Sequence, residues 1–554
     1  MKLRAHFAKR VQSNFSRQAI TSASRWAKSY RIGYNPFLKE TVPWTFKYHP
    51  WSEWMHDVRG NLVGMKAAQM AYTETALNKA LAAMDLEHKN VAYYLPSFKP
   101  DAYDFSSARF DGCLDQSPYI KAMFSSRKNV GHKRAGGTNF YIRGLRSRSG
   151  AKSIDVALML FDEVDEMVQK LITLAMERTS GQPESEWFKL STPTISKFGI
   201  DVDFQKSTKR HYFFKCPRCS RFEEINFPEN IIITADDPQD PKIKDTHIIC
   251  TQCKKVLPHE TKPDWLAPAN GAEWIQQAVS DLEGVQINQF YSCATHPWEI
   301  AKLYLEGLSD EASEQEFHNS KLGKTHEVSD ARVSESDING CVGDFVTKEE
   351  FSSGGVTTLG VDVGTALHFQ INQWKLPKRG RYASINARAI PRVINYGTVS
   401  SFNDISHLMK KFNINFAVLD ANPERRKVKE FCDYWYGRSR ACFYIHSVSG
   451  KTIKVSSDRD EPDVKVNRTA WMDMTLSRYR QGKIHLPRNI NHEYRTHIQE
   501  PVRVPEKDAN GNITYRYITG QGRADHYAHA ATYAEIALPL ALSVGKAKNI
   551  ASPL

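Results

Sequence analysis

Short apolar runs that end in an acidic residue recur along this chain, and they constrain its fold more than any other feature. Asp162, Asp362 and Asp420 each follow such a run. The runs have the length and composition of buried β-strands, and helix-like stretches separate them. The sequence therefore predicts α/β architecture, with sheets covered by helices. Carboxylates delivered from strand ends can converge on divalent cations, so these aspartates are candidate site residues.

Composition and charge narrow the class of protein. A chain of 554 residues has room for two or three domains. The net charge of +13 indicates a polyanionic partner, first of all nucleic acid, although a solvated basic surface would give the same charge. No apolar run has the length of a membrane span. Residues 1–39 are basic and contain no acid. We expect them to dock on a partner or on DNA; the alternative is an organellar transit peptide.

The stretch 55–200 alternates strand-like and helix-like segments, which predicts a parallel sheet with helices on both faces. The order of the segments is that of an ATPase core: a phosphate loop, a second strand, an acidic strand end and a polar coupling turn. The segments are Asn61–Ala68 (strand), Thr73–Met84 (helix), Asn90–Leu95 (strand), Ile154–Phe161 (strand), Phe188–Leu190 (strand) and the turn Ser191–Thr194.

The phosphate loop departs from the usual pattern Gly-x-x-x-x-Gly-Lys-Ser/Thr. Tyr72 occupies the lysine position and Ala71 the second glycine position, whereas Thr73 keeps the hydroxyl that can bind magnesium. Lys66 stands where the first glycine would be, so the cation can come from the other end of the loop. The amides at the start of the following helix can still bind phosphate. The candidate ATP-binding residues are Lys66, Gln69, Met70, Ala71, Tyr72, Thr73 and Asp162.

Two neighbouring carboxylates at the acidic strand end suit ATP hydrolysis. Asp162 would hold magnesium through water, and Glu163 would orient and deprotonate the attacking water. Asp165 and Glu166 are rival carboxylates for these roles. The alternative is that all four acids simply favour the start of a helix.

Four of the nine cysteines fall in two Cys-x-x-Cys pairs, Cys216–Cys219 and Cys250–Cys253. Each pair can direct two thiolates at one ion, and two pairs complete a closed tetrahedral zinc site. We therefore predict a zinc ribbon, with a redox pair as the alternative. The other cysteines are interpreted as isolated thiols.

The last third of the chain presents a trio of carboxylates. Asp362 and Asp420 end strand-like runs, and Asp525 opens a helix-like stretch predicted to reach Ala537. Two divalent cations about 3.5–4 Å apart, held by such a trio, would cleave a phosphodiester. Glu424 is a reserve ligand, and His529 is a weaker candidate for contact with metal or phosphate. Three unrelated surface charges are the alternative.

These segments together resemble the large terminase subunit of tailed bacteriophages, in its lambda-type branch, over about residues 48–537. The resemblance also includes Tyr94-Leu-Pro-Ser97, the turn Ser191-Thr-Pro-Thr194 and the segment Glu316–Gly323. Members of that branch have a displaced lysine and a tyrosine in the usual lysine slot, which is the arrangement of Lys66 and Tyr72.

The resemblance implies a motor that uses ATP to thread double-stranded DNA into a procapsid, and a nuclease that cuts concatemers. It assigns nucleotide binding to Lys66, Gln69 and Thr73, and it leaves Arg146, Arg148 and Ser149 as residues that sense phosphate, contact DNA or form a plain basic loop. The implied cofactors are ATP, magnesium or manganese, and zinc. The implied partners are the small terminase subunit, the portal protein and further copies in a ring, in the host cell cytoplasm and without a membrane.

The predicted organisation is a P-loop ATPase with a zinc-ribbon-like insertion, followed by an RNase H-like nuclease. Two rivals remain: an RNase H-like recombinase or helicase, and a non-enzymatic, zinc-bearing DNA-binding protein. A two-lobed helicase would need a second ATPase lobe, for which this order of segments leaves no room. The predicted domains are a basic N-terminal segment (1–45), an ATPase core (46–205), the ribbon (206–262), a linker or docking subdomain (263–345), the nuclease (346–540) and a C-terminal tail (541–554).

Overall fold

The structure, a computed structural model, divides the chain into two compact units, Met1–Val328 and Ser329–Leu554. Each unit is described by itself. The residues described are 20–124, 128–151, 154–177, 182, 184–308, 311–327, 331–348, 355–377, 388–445, 453–456, 458, 461–507 and 513–550.

The first unit contains a large, mostly parallel sheet and two small antiparallel ones. Its strands are β1 (Ile32–Asn35), β2 (Glu40–Pro43), β3 (Leu62–Lys66), β4 (Val91–Leu95), β5 (Lys128–Asn129), β6 (His132–Ala135), β7 (Thr138–Gly144), β8 (Leu158–Asp162), β9 (Glu186–Ser191), β10 (Arg210–Lys215), β11 (Phe222–Glu223), β12 (Ile231–Ile232), β13 (His247–Ile249), β14 (Val256–Leu257), β15 (Glu273–Ile275) and β16 (Glu283–Ile287).

Along the chain, the helices of this unit precede, separate and follow these strands. They are α1 (Ala23–Tyr30), α2 (Trp51–Asp57), α3 (Tyr72–Leu86), α4 (Asp111–Gln116), α5 (Pro118–Met123), α6 (Gln169–Met176), α7 (Ile200–Phe204), α8 (Lys262–Trp265), α9 (Pro297–Gly307) and α10 (Glu311–Glu316). Short 3₁₀ or π-helical turns cover Phe98–Ala102, Phe105–Phe110, Val164–Glu166, Pro241–Asp245, Pro268–Asn270, Gln289–Tyr291 and Phe317–Lys321.

The large sheet has a parallel centre in the order β10-β16-β3-β9-β8-β4-β7. Every residue of β3, β4 and β8 is buried, as expected for strands that helices cover on both faces. Helix α3 is buried along most of its length, and it belongs to the same apolar core as β3 and β8. In this arrangement the ends of β3 and β8 lie at the same edge of the sheet, and only β9 separates them.

The structure draws the domain boundaries differently from the sequence. Strand β16 falls in the predicted docking segment, 263–345, yet it pairs in parallel with both β3 and β10 inside the large sheet. Helix α1 and the β1–β2 hairpin fall in the predicted N-terminal segment, and they too belong to the first unit. The local sequence of a short strand does not indicate which distant strand it pairs with. The small sheet β12-β13-β14 forms the middle of the ribbon.

The second unit is built on a mixed sheet in the order β19-β18-β17-β20-β21-β23-β22, with a separate β24–β25 hairpin. Its strands are β17 (Val356–Val363), β18 (Leu367–Lys375), β19 (Ile390–Val399), β20 (Phe416–Asp420), β21 (Ser439–Ile445), β22 (Ile453–Val455), β23 (Asp463–Asn467), β24 (Val502–Lys507) and β25 (Ile513–Ile518). Its helices are α11 (Glu335–Cys341), α12 (Phe402–Lys411), α13 (Arg425–Tyr434), α14 (Arg468–Arg480), α15 (His492–Gln499) and α16 (His526–Ile550).

The first three strands of this sheet form an antiparallel meander, and β20, β21 and β23 then continue in parallel. Helix α16 packs against β17, where Thr358 Oγ1 donates a hydrogen bond of 2.8 Å to the carbonyl of Ala534. A buried pair joins α14 to α16, because Arg478 donates to both carboxylate oxygens of Glu535, at 2.8 and 2.6 Å. This strand order with flanking helices is the predicted RNase H-like fold.

Two details of the second unit differ from the sequence prediction. The predicted helix from Asp525 ends at Ala537, but α16 continues to Ile550 because Leu538, Leu540 and Ala541 extend its buried face. The sequence pattern of Tyr382–Ile390 also predicts a strand, whereas β19 begins at Ile390. Residues 378–387, which hold most of that predicted strand and several basic residues before it, lie outside the described residues.

Among the described residues of both units, no helix has both the length and the apolar composition to cross a bilayer.

Close packing of α16 on β17 makes a glycine necessary. We expect Gly360→Ala to lower the free energy of unfolding by about 1–3 kcal/mol, because its Cβ would lie 2.0 Å from the carbonyl oxygen of Ala530 and 2.2 Å from the amide nitrogen of Ala534. Gly340→Ala, in α11, is the matched control. Its Cβ meets no atom within 4 Å, so a small stabilisation, below about 1 kcal/mol, is expected. Calorimetry measures both variants, and equal stabilities would contradict the prediction.

Candidate functional site

The loop between β3 and α3 has the form of a phosphate loop. Gln69 and Ala71 adopt left-handed backbone conformations, with φ of 59° and 65°, and Ala71 directly precedes the first turn of α3. The amide of Ala67 donates to the carbonyl of Ile287, at 3.0 Å, and that of Ala68 to the carbonyl of Ser320, at 2.8 Å. No described residue accepts a hydrogen bond from the amides of residues 69–73. These amides are therefore available to an anion at the helix start.

Lys66 and Glu163 form an ion pair beside this loop. The ammonium of Lys66 lies 3.0 Å from Oε1 of Glu163. Lys66 is buried, while the side chain of Glu163 remains 40% exposed. Glu163 adopts a left-handed backbone conformation, with φ of 63°, which turns the chain at the end of β8. The carboxylate thus faces the loop from the neighbouring strand end.

Asp162 is buried next to Glu163 and has one unsatisfied oxygen. Tyr93 donates its hydroxyl hydrogen to Oδ2 of Asp162, at 2.7 Å, while Oδ1 is buried without a partner among the described residues. Burial, and after it the nearby carboxylate of Glu163, raises the pKa of Asp162 to about 6. The Thr73 hydroxyl also interacts with Asp162. A buried carboxylate oxygen beside a threonine hydroxyl is a suitable donor set for hydrated magnesium.

Asp165, a rival carboxylate, has a structural position instead. It accepts hydrogen bonds from the amides of Thr194, at 2.8 Å, and Ile200, at 2.7 Å. Burial raises its pKa to about 7, against the effect of these hydrogen bonds. Asp165 therefore anchors the segment that follows the coupling turn and does not face the phosphate loop. Glu166, the other rival, is exposed.

A cleft of about 800 Å³ opens between the phosphate loop and the β1–β2 hairpin. Sequence reasoning missed this wall because the hairpin was assigned to the basic N-terminal segment. The wall could have been recognised from the many aromatic residues that precede β3, because aromatic side chains favour contact with a planar group. Arg31, on the same wall, bonds Glu74 through Nη2, at 2.7 Å, while its Nε and Nη1 are buried without a partner among the described residues. The aromatic side chains of the wall are Tyr34, Phe37, Trp44, Tyr48 and His49.

The segment 315–326, which contains the predicted signature Glu316–Gly323, touches both the phosphate loop and the coupling turn. Ser320 accepts the hydrogen bond from Ala68, and Asn319 donates from Nδ2 to the carbonyl of Thr194, at 2.8 Å. Gly323 has a φ of 61°, and a Cβ there would lie 2.7 Å from the amide nitrogen of Ala67. The glycine is therefore required both for its conformation and for the close approach of two backbones.

The four ribbon cysteines converge. Their sulfur atoms all lie within 4.8 Å of one another, with 3.9 Å between Cys216 and Cys253 and 3.8 Å between Cys219 and Cys250. Zinc–sulfur bonds of about 2.3 Å in a tetrahedron place the sulfurs about 3.8 Å apart. Both distances join a cysteine of one pair to a cysteine of the other. A four-ligand site requires this, whereas two separate redox pairs do not.

In the second unit, Asp362 and Asp420 lie at the ends of the neighbouring parallel strands β17 and β20. Burial, with a contribution from the nearby Asp362 carboxylate, raises the pKa of Asp420. Asp525 accepts a hydrogen bond of 2.6 Å from Thr519 and lies 3.4 Å from Nε2 of His529. Burial opposes its ionisation, yet His529 and Thr519 hold the pKa of Asp525 well below its usual range.

The three aspartates do not form a group of ligand atoms within 4.8 Å of one another; Asp362 forms such a group with His368 and His526 instead. In a two-metal centre each ion binds a different subset of the carboxylates, so mutual contact of all three is not required. His526 Nδ1 lies 2.8 Å from Oδ2 of Asp362, and this hydrogen bond raises the pKa of His526.

Sequence reasoning considered His529 and missed His526 and His368. His368 could have been found from the sequence, because it and Asp362 are equally far from the short turn between β17 and β18. Two such residues become cross-strand partners. Three other candidate residues belong neither to the ligand groups nor to the cleft lining. Arg146 and Arg148 are exposed in the turn after β7, and Glu424 pairs with Lys427, at 3.0 Å.

The first unit thus has the features that define a P-loop ATPase with a displaced lysine. Residues 40–274 match a protein family described as the phage terminase large subunit gpA, ATPase domain. This match confirms the resemblance to the large terminase subunit of tailed bacteriophages. Residues 40–274 are thus similar to that family's ATPase domain.

Solved structures of terminases are similar to this chain at low sequence identity. The HK97 bacteriophage large terminase is 11% identical, over 93% of this chain and 99% of its own, with a TM-score of 0.49. The large terminase of a thermophilic bacteriophage is 13% identical, over 89% and 98%, with a TM-score of 0.30. The large terminase nuclease of thermophilic phage G20c with bound magnesium is 11% identical, over 36% and 95%, with a TM-score of 0.23. No curated protein matches the chain.

Proposed function

We propose that this chain is the motor and the nuclease of a phage DNA-packaging machine, which moves double-stranded DNA into a procapsid by ATP hydrolysis and cuts concatemeric DNA. The ion pair of Lys66 and Glu163, 3.0 Å apart beside the phosphate loop, is the observation that carries the motor half. It combines a phosphate-binding cation with a water-activating carboxylate at the ends of two buried parallel strands. The non-enzymatic alternative does not explain a buried lysine in this position.

In the proposed cycle, ATP occupies the cleft with its phosphates on the amides of residues 69–73. Lys66 leaves Glu163 for a phosphate oxygen, because phosphate offers more negative charge than one carboxylate. Glu163 is then free to take a proton from the attacking water. Thr73 and Asp162 would hold magnesium, which lowers the charge barrier at the phosphates when bound. The base of ATP lies against the aromatic wall of the β1–β2 hairpin.

Glu163→Gln tests the assignment of the general base. The amide keeps the shape of the side chain but cannot accept the proton, so we expect ATP hydrolysis to fall by at least about 100-fold while nucleotide binding persists. Glu166→Gln, the same change at an exposed side chain three residues away, is the matched control and should keep normal turnover. Steady-state phosphate release and fluorescent-nucleotide binding, both with double-stranded DNA present, measure the two effects. Normal turnover in Glu163→Gln would refute the assignment.

The second unit supplies the proposed nuclease. Asp362, Asp420 and Asp525 would hold magnesium or manganese, and the repulsion between Asp362 and Asp420 is the reason that a cation is favoured there. When bound, the ions activate water and stabilise the leaving oxygen of the phosphodiester. His526, bonded to Asp362, orients that carboxylate. The RNase H-like recombinase remains the second candidate for this unit.

The nuclease assignment is tested with the full chain on supercoiled plasmid. Asp362→Ala and Asp420→Ala should each lower nicking by at least about 100-fold, while ATPase activity survives, because each removes a metal ligand of the nuclease alone. Asp525→Ala should lower it as well. Asp433→Ala, an exposed aspartate paired with Lys429, is the control. Nicking that persists in chelator, or that is indifferent to Asp362, would contradict the two-metal proposal.

We also propose that Cys216, Cys219, Cys250 and Cys253 hold a structural zinc ion that closes the ribbon. A small three-stranded sheet of short strands has little core of its own, so metal binding would stabilise its fold. We expect Cys216→Ser to release about one zinc ion per chain and to lower the thermal midpoint. Cys113→Ser, a buried cysteine outside the ribbon, should keep the metal. Correctly folded wild type without zinc in elemental analysis would contradict the proposal.

The partners follow from the proposed activity. The motor would act as a ring of copies on the portal protein of the procapsid, in the host cell cytoplasm, and the small terminase subunit would deliver the DNA. The charge of +13 favours contact with the DNA backbone. Exposed Arg146 and Arg148 remain candidates for phosphate sensing or DNA contact.

A further inference from the structure

A second group of metal-ligand atoms lies beside the three aspartates of the second unit and is not used by the proposed nuclease. The ligand atoms of His368, Glu493 and His497 all lie within 4.8 Å of one another. Glu493 and His497 are four residues apart on α15, so they share one face of that helix. His368 lies on β18, and its Nε2 is 4.0 Å from Oε1 of Glu493. Strand and helix thus present three ligands to one point.

The imidazoles of this group lack the hydrogen bonds that buried histidines normally have. His368 and His497 are buried, with 9% and 7% of their surface exposed. The Nδ1 atom of each has no hydrogen-bond partner among the described residues. A buried ring nitrogen without a hydrogen-bond partner is energetically unfavourable, which favours the binding of a further group at this cluster. Both rings pack instead on the imidazole of His526, at 4.3 and 5.5 Å between ring centres.

We propose that His368, Glu493 and His497 form a binding site for a divalent transition-metal ion of the zinc class. Two imidazoles and one carboxylate are a ligand set that zinc adopts when a fourth position stays open to water or substrate. Magnesium prefers a set made of oxygen atoms, so the same ion would not serve this group and the aspartates equally. The side chain of Glu493 is half exposed, so solvent reaches the cluster on that side.

The position of this site, beside the proposed nuclease centre, is consistent with a role in binding DNA. His368 is the direct cross-strand partner of Asp362, so the ion would lie one side chain from the proposed cutting centre. A positive ion with an open coordination position there can bind a phosphate oxygen of DNA next to the bond to be cut. This use rests on the proposed nuclease function, whereas metal binding itself does not.

Metal stoichiometry separates this site from the others. The full chain is dialysed against zinc in the presence of a large excess of magnesium, which occupies the aspartate site, and zinc is then measured by elemental analysis. With the ribbon loaded, wild type should hold two zinc ions per chain. Cys216→Ser and His497→Ala should each hold one, and the double variant none. His407→Ala, an exposed histidine on α12, is the matched control and should hold two.

A second variant guards against misfolding of His497→Ala. Glu493→Gln alters only a half-exposed side chain and should weaken zinc binding at this site by more than the roughly 10-fold that loss of a supporting residue costs. If the ribbon holds no zinc, wild type should hold one ion and His497→Ala none, so the two proposals fail separately. The proposal is overturned if both His497→Ala and Glu493→Gln retain the zinc content and affinity of wild type.

Discussion

The carboxyl ends of parallel strands must meet at one edge of a sheet, and both units of this protein depend on that constraint. In the first unit it brings the end of β3, with Lys66, to the end of β8, with Asp162 and Glu163. In the second it brings Asp362 to Asp420. The apolar runs are buried on both faces, so their register is strongly specified, and the polar residue that ends each run has a fixed position. The candidate site residues of these strands thus lie at one edge of each sheet.

Much of this could be predicted from the sequence because the relevant signals are local. A buried run followed by Asp162-Glu163, and a helix that begins beside Thr73, can be recognised from neighbouring residues alone. The ion pair of Lys66 with Glu163 was not predicted. The RNase H-like fold of the second unit was implied by the resemblance to the terminase family. The cysteine spacing predicted a convergence that the sulfur positions confirm, while the presence of zinc stays a prediction.

What could not be predicted depends on long-range pairing. Strand β16 is an ordinary short segment in the sequence, and only its pairing with β3 makes it part of the ATPase sheet. The sequence alone does not distinguish the roles of Asp165 and Glu163. In the structure the amides of Thr194 and Ile200 donate hydrogen bonds to the carboxylate of Asp165. His368 and His497 come from a strand and a helix far apart in the chain. Their proximity depends on how α15 packs beside β18, which no periodicity of either segment encodes.

The segment 315–326 connects the phosphate loop and the coupling turn through its hydrogen bonds. It accepts a hydrogen bond from the amide of Ala68 in the phosphate loop and donates one to the carbonyl of Thr194 at the end of the coupling turn. Gly323 fits so closely against Ala67 that the loop has no free space on that side. If the loop or the turn shifts when a phosphate leaves, residues 315–326 must shift with it or lose these hydrogen bonds. A change in the nucleotide would thereby be felt by the loop and the turn together, through one short backbone segment.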